Sequence, residues 1–131
     1  MEGCLRILIL EDVATDADLM AFAMAEAGLS FTAKRVATRN AFVKEVEAFA
    51  PDLILSDYDL PQYTGALALA DAKARRPDIP FILVTGVMRE DRACEIIAQG
   101  ARDYVHKNHM DRLAPAVRKA LNETEERPCE Q

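Results

Sequence analysis

Leu53-Ile54-Leu55-Ser56-Asp57-Tyr58-Asp59-Leu60-Pro61 sets a short, unbroken apolar run against a carboxylate. Such a run is too short for a helix and suits a strand buried on both faces of a parallel sheet. Two more runs read the same way: Leu5–Leu10, broken only by Arg6, and residues 81–84, Phe-Ile-Leu-Val. Phe31–Val36 and residues 102–106 are more mixed and fit edge strands of the same sheet.

Helical stretches lie between the strands. Thr15-x-x-Asp18 resembles a capping box, with Gly28 as the stop, and Leu19, Phe22 and Ala23 share a face between them, with Met20 and Met24 nearby. Thr38 can cap a second helix whose Phe42, Val46 and Phe49 recur at helical spacing. Residues 64–76 are alanine-rich and stop before Pro77. Residues 89–99 turn Ala93, Ile96 and Ile97 inward and end at Gly100. Residues 110–121 carry Leu113, Val117 and Leu121, with Pro115 in the first turn, where a missing N–H costs least. A strand and a helix thus alternate five times. That predicts an α/β fold, a flavodoxin-like (βα)5 doubly wound five-stranded parallel sheet of strand order 2-1-3-4-5, with the apolar strands inside. The expected domain spans 5–121, and 122–131 reads as a polar tail or the start of a linker.

The 131 residues are half hydrophobic, enough for one real core. The formal net charge of −6 argues against direct nucleic-acid binding, which is dominated by phosphate contacts. No apolar run is long enough for membrane insertion, and residues 1–6 show no signal-peptide pattern, so the expected location is cytoplasmic. Cys4, Cys94 and Cys129 show no metal-ligand spacing and read as free thiols.

Ligands of open α/β sheets bind beyond the carboxyl ends of the strands. There the topology gathers Glu11 and Asp12 after the first strand, Asp57 and Asp59 after the third, Thr85 and Gly86 after the fourth, and Lys107 after the fifth. Clustered carboxylates without His or Cys favour a hard cation such as Mg2+. A carboxylate can attack phosphorus to form an aspartyl phosphate, with a cation and a lysine balancing the charge. Singly, each residue is better explained by a turn, a cap, plain strand or solvated surface; together, on one rim, they point to phosphate chemistry. Tyr104 fits plain edge-strand packing as well as a role at this rim.

Ile7-Leu-Ile-Leu-Glu-Asp12, Leu53-Ile-Leu-Ser-Asp57, Asp59-Leu-Pro61, Leu83-Val-Thr-Gly86 and Gly100-Ala-Arg-Asp-Tyr-Val-His-Lys107 together resemble the receiver domain of two-component response regulators, over residues 6–121. The resemblance implies Asp57 as phosphoacceptor, Asp12 as direct Mg2+ ligand, Glu11 as a ligand acting through water, and the Asp59 backbone carbonyl as a further ligand. It implies Thr85 as the switch hydroxyl, Tyr104 as the coupled aromatic and Lys107 as the phosphate-binding lysine. The implied donor is a sensor histidine kinase or a histidine phosphotransfer protein, and the reader is a downstream partner or fused output domain. The implied role is a switch rather than an enzyme.

The family usually follows its lysine with proline and a cis bond, whereas Asn108 stands here. A cis bond before a non-proline residue costs roughly 3–4 kcal/mol, so the expectation is a trans bond with a reshaped loop or a strained cis bond held by the site. The Asp59 side chain and the apolar Val87 suggest opposite effects on phosphate lifetime. Two alternatives stay open: a degenerate receiver that only docks proteins, and a phosphatase of the haloacid-dehalogenase type, whose Asp-x-Asp motif Asp57 and Asp59 resemble. A nucleotide- or flavin-binding site is disfavoured, since Asp12-Val-Ala-Thr-Asp16 is no glycine-rich loop.

Overall fold

The computed structural model describes residues 5–86 and 90–129. In chain order they form β1 (Leu5–Leu10), α1 (Ala14–Glu26), β2 (Phe31–Val36), α2 (Arg39–Ala48), β3 (Leu53–Ser56), β4 (Asp59–Leu60), β5 (Tyr63–Thr64), α3 (Gly65–Arg75), β6 (Phe81–Thr85), α4 (Glu90–Ala98), β7 (Asp103–His106), a short 3-10 helix (Lys107–Arg112) and α5 (Leu113–Cys129). The main sheet is parallel, in the order β2-β1-β3-β6-β7. This is the flavodoxin-like order expected, with β4 and β5 as an extra two-residue hairpin. No helix among the described residues is long and apolar enough to cross a membrane.

The apolar runs are continuous because each strand buries both faces. Successive strand side chains point to opposite sides. Leu8, Leu10, Ile54, Phe81 and Leu83 pack under α2, α3 and α4, while Ile7, Ile9, Leu53, Leu55, Ile82 and Val84 pack under α1 and α5. Full burial of each such side chain contributes about 1.5–3 kcal/mol. The register pairs Leu10 with Ser56, Ser56 with Leu83, and Thr85 with His106, so four strands end at one rim.

Local details differ from expectation. Helix α1 begins at Ala14 with Val13 as N-cap and no side-chain capping bond, so Thr15 does not form the capping box. Its buried stripe is Ala17, Met20 and Met24, while Leu19 and Phe22 are 54% and 62% exposed. Apolar residues occupy two stripes of this helix, and periodicity alone does not choose between them. In α4, Ala93 and Ile96 face inward but Ile97 is 40% exposed. Thr38 caps α2 as expected, its hydroxyl accepting from Ala41 N, and Thr64 caps α3 in the same way from Leu67 N. Helix α5 runs on beyond residue 121 into the polar stretch. Cys94 is a free, exposed thiol. Cys4, Val87 and Arg89 lie outside the described residues.

Candidate functional site

Each functional side chain is placed by the end of a strand. The Glu11 amide donates to Val36 O at 2.9 Å, and its carbonyl accepts from Arg35 Nη1 at 3.0 Å. Its carboxylate is wholly buried, with Oε2 accepting the Val13 amide at 3.1 Å. The Asp57 amide donates to Leu10 O at 3.0 Å, which extends the β1–β3 ladder by one residue and fixes the aspartate at the rim. Asp57 Oδ1 accepts the Tyr58 amide at 2.7 Å. Asp12 is exposed. One oxygen from each of Glu11, Asp12 and Asp57 lies within 4.8 Å of the others.

Lys107 reaches into this acidic corner from the end of β7. Its Nζ lies 2.8 Å from Glu11 Oε1, 2.7 Å from Asp16 Oδ2 and 3.4 Å from Asp57 Oδ2. Burial opposes the lysine's charge, but the hydrogen bond to Asp16, the Glu11 carboxylate and the nearby Asp57 outweigh it and hold the ammonium well above its ordinary pKa. Burial also pushes the Glu11 carboxyl up, against the pull of Lys107 and the Val13 amide. The site therefore holds more negative charge than its one lysine relieves, and the donors are all oxygens. That donor set fits a hard dication such as Mg2+, with Glu11, Asp12 and Asp57 as the residues to hold it.

Thr85 is wholly buried at the end of β6, and its hydroxyl makes no hydrogen bond among the described residues. Buried polar atoms are nearly always paired, so the hydroxyl is an exception, and it stands at the rim that carries Asp57 and Lys107. Tyr104 stands half-buried on β7 opposite Leu83 and lines a surface groove with Ala93, Cys94 and Ile97. Asp59 is exposed in β4, paired with Thr64 of β5.

The Lys107–Asn108 bond is trans. The loop is reshaped into the 3-10 helix, capped by His106, whose Nδ1 accepts the Asn108 amide at 3.0 Å. Three residues escaped the sequence reading. Asp16 needed the knowledge that the first turn of α1 overlooks the rim, four residues on from Asp12. His106 needed the observation that a polar side chain just before a short helix often caps it. Gly65 opens α3, and a Cβ there would lie 2.8 Å from Leu83 Cδ1, 2.9 Å from Asp57 O and 2.9 Å from Tyr58 Cα. Only glycine allows that approach; its position just after Pro61 and the hairpin was the available signal.

The family model for the response regulator receiver domain matches residues 7–118. The chain belongs to this family. The receiver is 32% identical over 114 residues to the regulatory protein LuxO of Vibrio vulnificus, covering 86% of this chain and 25% of LuxO. It thus spans about a quarter of that relative's length. It is 26% identical over 113 residues to the chemotaxis protein CheY of Listeria monocytogenes, covering 86% of each. Among solved structures, a CheY-like receiver domain from Methanospirillum hungatei matches with a TM-score of 0.83 at 25% identity, covering 95% of this chain and 99% of that one. The receiver domain of a LuxO repressor protein from Vibrio parahaemolyticus gives 0.83 at 25% identity, covering 98% of each. Receivers are signalling domains of two-component systems, and the family binds Mg2+ at an acidic pocket. The phosphatase alternative gives way to this family match.

Proposed function

We propose that this receiver takes a phosphoryl group onto Asp57 from a phosphohistidine on a sensor kinase or phosphotransfer protein. The observation that carries this reading is a nearly buried Asp57 set between two further carboxylates and the Lys107 ammonium. One Asp57 carboxylate oxygen attacks phosphorus, the P–N bond to the donor imidazole breaks, and the imidazole leaves with that electron pair and takes up a proton. Bound Mg2+ would neutralise charge on the transferring group, held by Glu11, Asp12, Asp57 and the Asp59 backbone carbonyl. Lys107 carries the same task from the other side.

The unpaired Thr85 hydroxyl then turns to a phosphoryl oxygen, and Tyr104 fills the space beside it, altering the groove next to α4. This is a population shift toward a state that the phosphoryl group binds better. A downstream partner or a fused output domain reads that face. In this reading residues 5–121 form the switch, 122–131 are a polar tail or the start of a linker, and the molecule works in the cytoplasm.

The test is the intact mass after incubation with Mg2+ and acetyl phosphate, beside Asp57→Asn. A single phosphoryl adduct that requires Mg2+ and is absent from the variant is expected. No adduct, together with no binding of beryllofluoride, would leave a receiver that only docks proteins.

A further inference from the structure

Lys107 keeps closer company with Asp16 than with the aspartate it is meant to serve. Its ammonium has three N–H donors, and the two shortest contacts go to Asp16 at 2.7 Å and Glu11 at 2.8 Å, with Asp57 at 3.4 Å. Glu11 and Asp57 belong to the trio that fits a cation, and Asp16 does not. The Asp16 side chain is also the outermost of the lysine's partners, 30% exposed against 0% for Glu11 and 9% for Asp57. Burial of Ala17, Met20 and Met24 fixes the helix that presents it.

A dication held by the trio would draw on the Glu11 and Asp57 carboxylates that Lys107 also contacts, and it would repel the ammonium. The lysine then needs a counter-charge outside the metal's reach yet close enough to keep it beside Asp57. We propose that Asp16 is a positioning residue that supplies this counter-charge, letting Lys107 and the cation occupy the site together. This rests on the phosphoacceptor reading and adds a fourth carboxylate to it, one that acts on the lysine rather than on the metal. Without Asp16, the lysine competes with the cation for Glu11 and Asp57.

The experiment is a double-mutant cycle on Mg2+ affinity, measured by calorimetry on the whole chain for the wild type, Asp16→Asn, Lys107→Met and the double variant. Asp16→Asn is expected to weaken Mg2+ binding about fivefold when Lys107 is present, the upper range for a partly exposed ion pair. In the Lys107→Met background the same change is expected to stay within about twofold, as for independent sites. Equal losses in both backgrounds would show a plain through-space charge effect and overturn the inference, and so would an unchanged affinity for Asp16→Asn alone. A wild-type chain that binds no Mg2+ would overturn the phosphoacceptor reading itself.

Discussion

The turn that carries Asp57 and the turn that carries Lys107 lie two strands apart on one rim, and different forces hold them. The acceptor turn is fixed by backbone and steric fit. Asp57 is bonded to β1 through Leu10, Gly65 N donates to Tyr58 O at 2.7 Å, and α3 begins where no side chain would fit. The Tyr63 hydroxyl ties its hairpin to Asp71, itself paired with Arg39 of α2. The lysine turn is held by side chains: the His106 cap and the ion pairs of Lys107. The lesson is a division of labour. Asp57 is held through the main chain, whereas the Lys107 ammonium is held by three carboxylates on separate elements.

Gly65→Ala strikes the fixed turn hardest. The added methyl has backbone atoms as two of its three near contacts, so a loss of about 1–3 kcal/mol is expected from overpacking, with phosphoryl uptake impaired in proportion to the displacement of Asp57. Urea denaturation and the acetyl phosphate adduct measure the two effects. A variant with normal stability and normal uptake would break the comparison.

Tyr63→Phe removes one hydrogen bond from the same region. About 1 kcal/mol is expected, with Asp71 retaining Arg39 and Arg75 as partners. Uptake should fall less than for Gly65→Ala, because the hydroxyl acts two elements away from Asp57.

Glu11→Gln sharpens the electrostatic side. In the folded chain the Glu11 carboxyl binds its proton more tightly than in the unfolded chain. Its stabilising contribution is therefore complete below the ordinary glutamate pKa and is lost as pH rises through the raised folded value. The variant should melt at a higher temperature than the wild type at neutral pH, and the gap should close in acid. Saturating Mg2+ should reverse the order at neutral pH, since ligand binding to the folded state stabilises the chain that binds it better.

His106→Ala is expected to have the smallest effect, about 0.5–1 kcal/mol for a lost cap. His106→Asn should restore much of it by capping with a different group. Amide exchange at Asn108, followed by NMR, is the direct readout.

Strands were legible because each buries both faces and so writes an unbroken apolar run. The edge strands were legible for the opposite reason: four of the six residues of β2 face solvent. The phase of α1 was not legible, since Leu19 and Phe22 are as apolar as Met20 and Met24 yet remain outside. Within the site, Glu11, Asp57, Thr85 and Lys107 could be found because strand ends are predictable positions. Asp16 could not, because its meaning depends on a lysine 91 residues away. Gly65 was missed because its place after Pro61 signals only a turn, while the close approach to Asp57 O and Tyr58 Cα shows only in three dimensions. The lysine loop was legible only as a departure, and the trans bond with its His106 cap is the form that departure takes.

The chain has three tyrosines and no tryptophan. Tyr58 follows Asp57 and accepts from Arg92 of α4 at 2.6 Å, Tyr63 anchors the turn after β3, and Tyr104 stands on β7 beside the groove. With no tryptophan, the tyrosine emission therefore dominates the near-ultraviolet fluorescence, and its three sources are Tyr58, Tyr63 and Tyr104. Two of the three flank the turn after β3 and the third lines the groove beside α4, so tyrosine fluorescence offers a label-free probe of both regions.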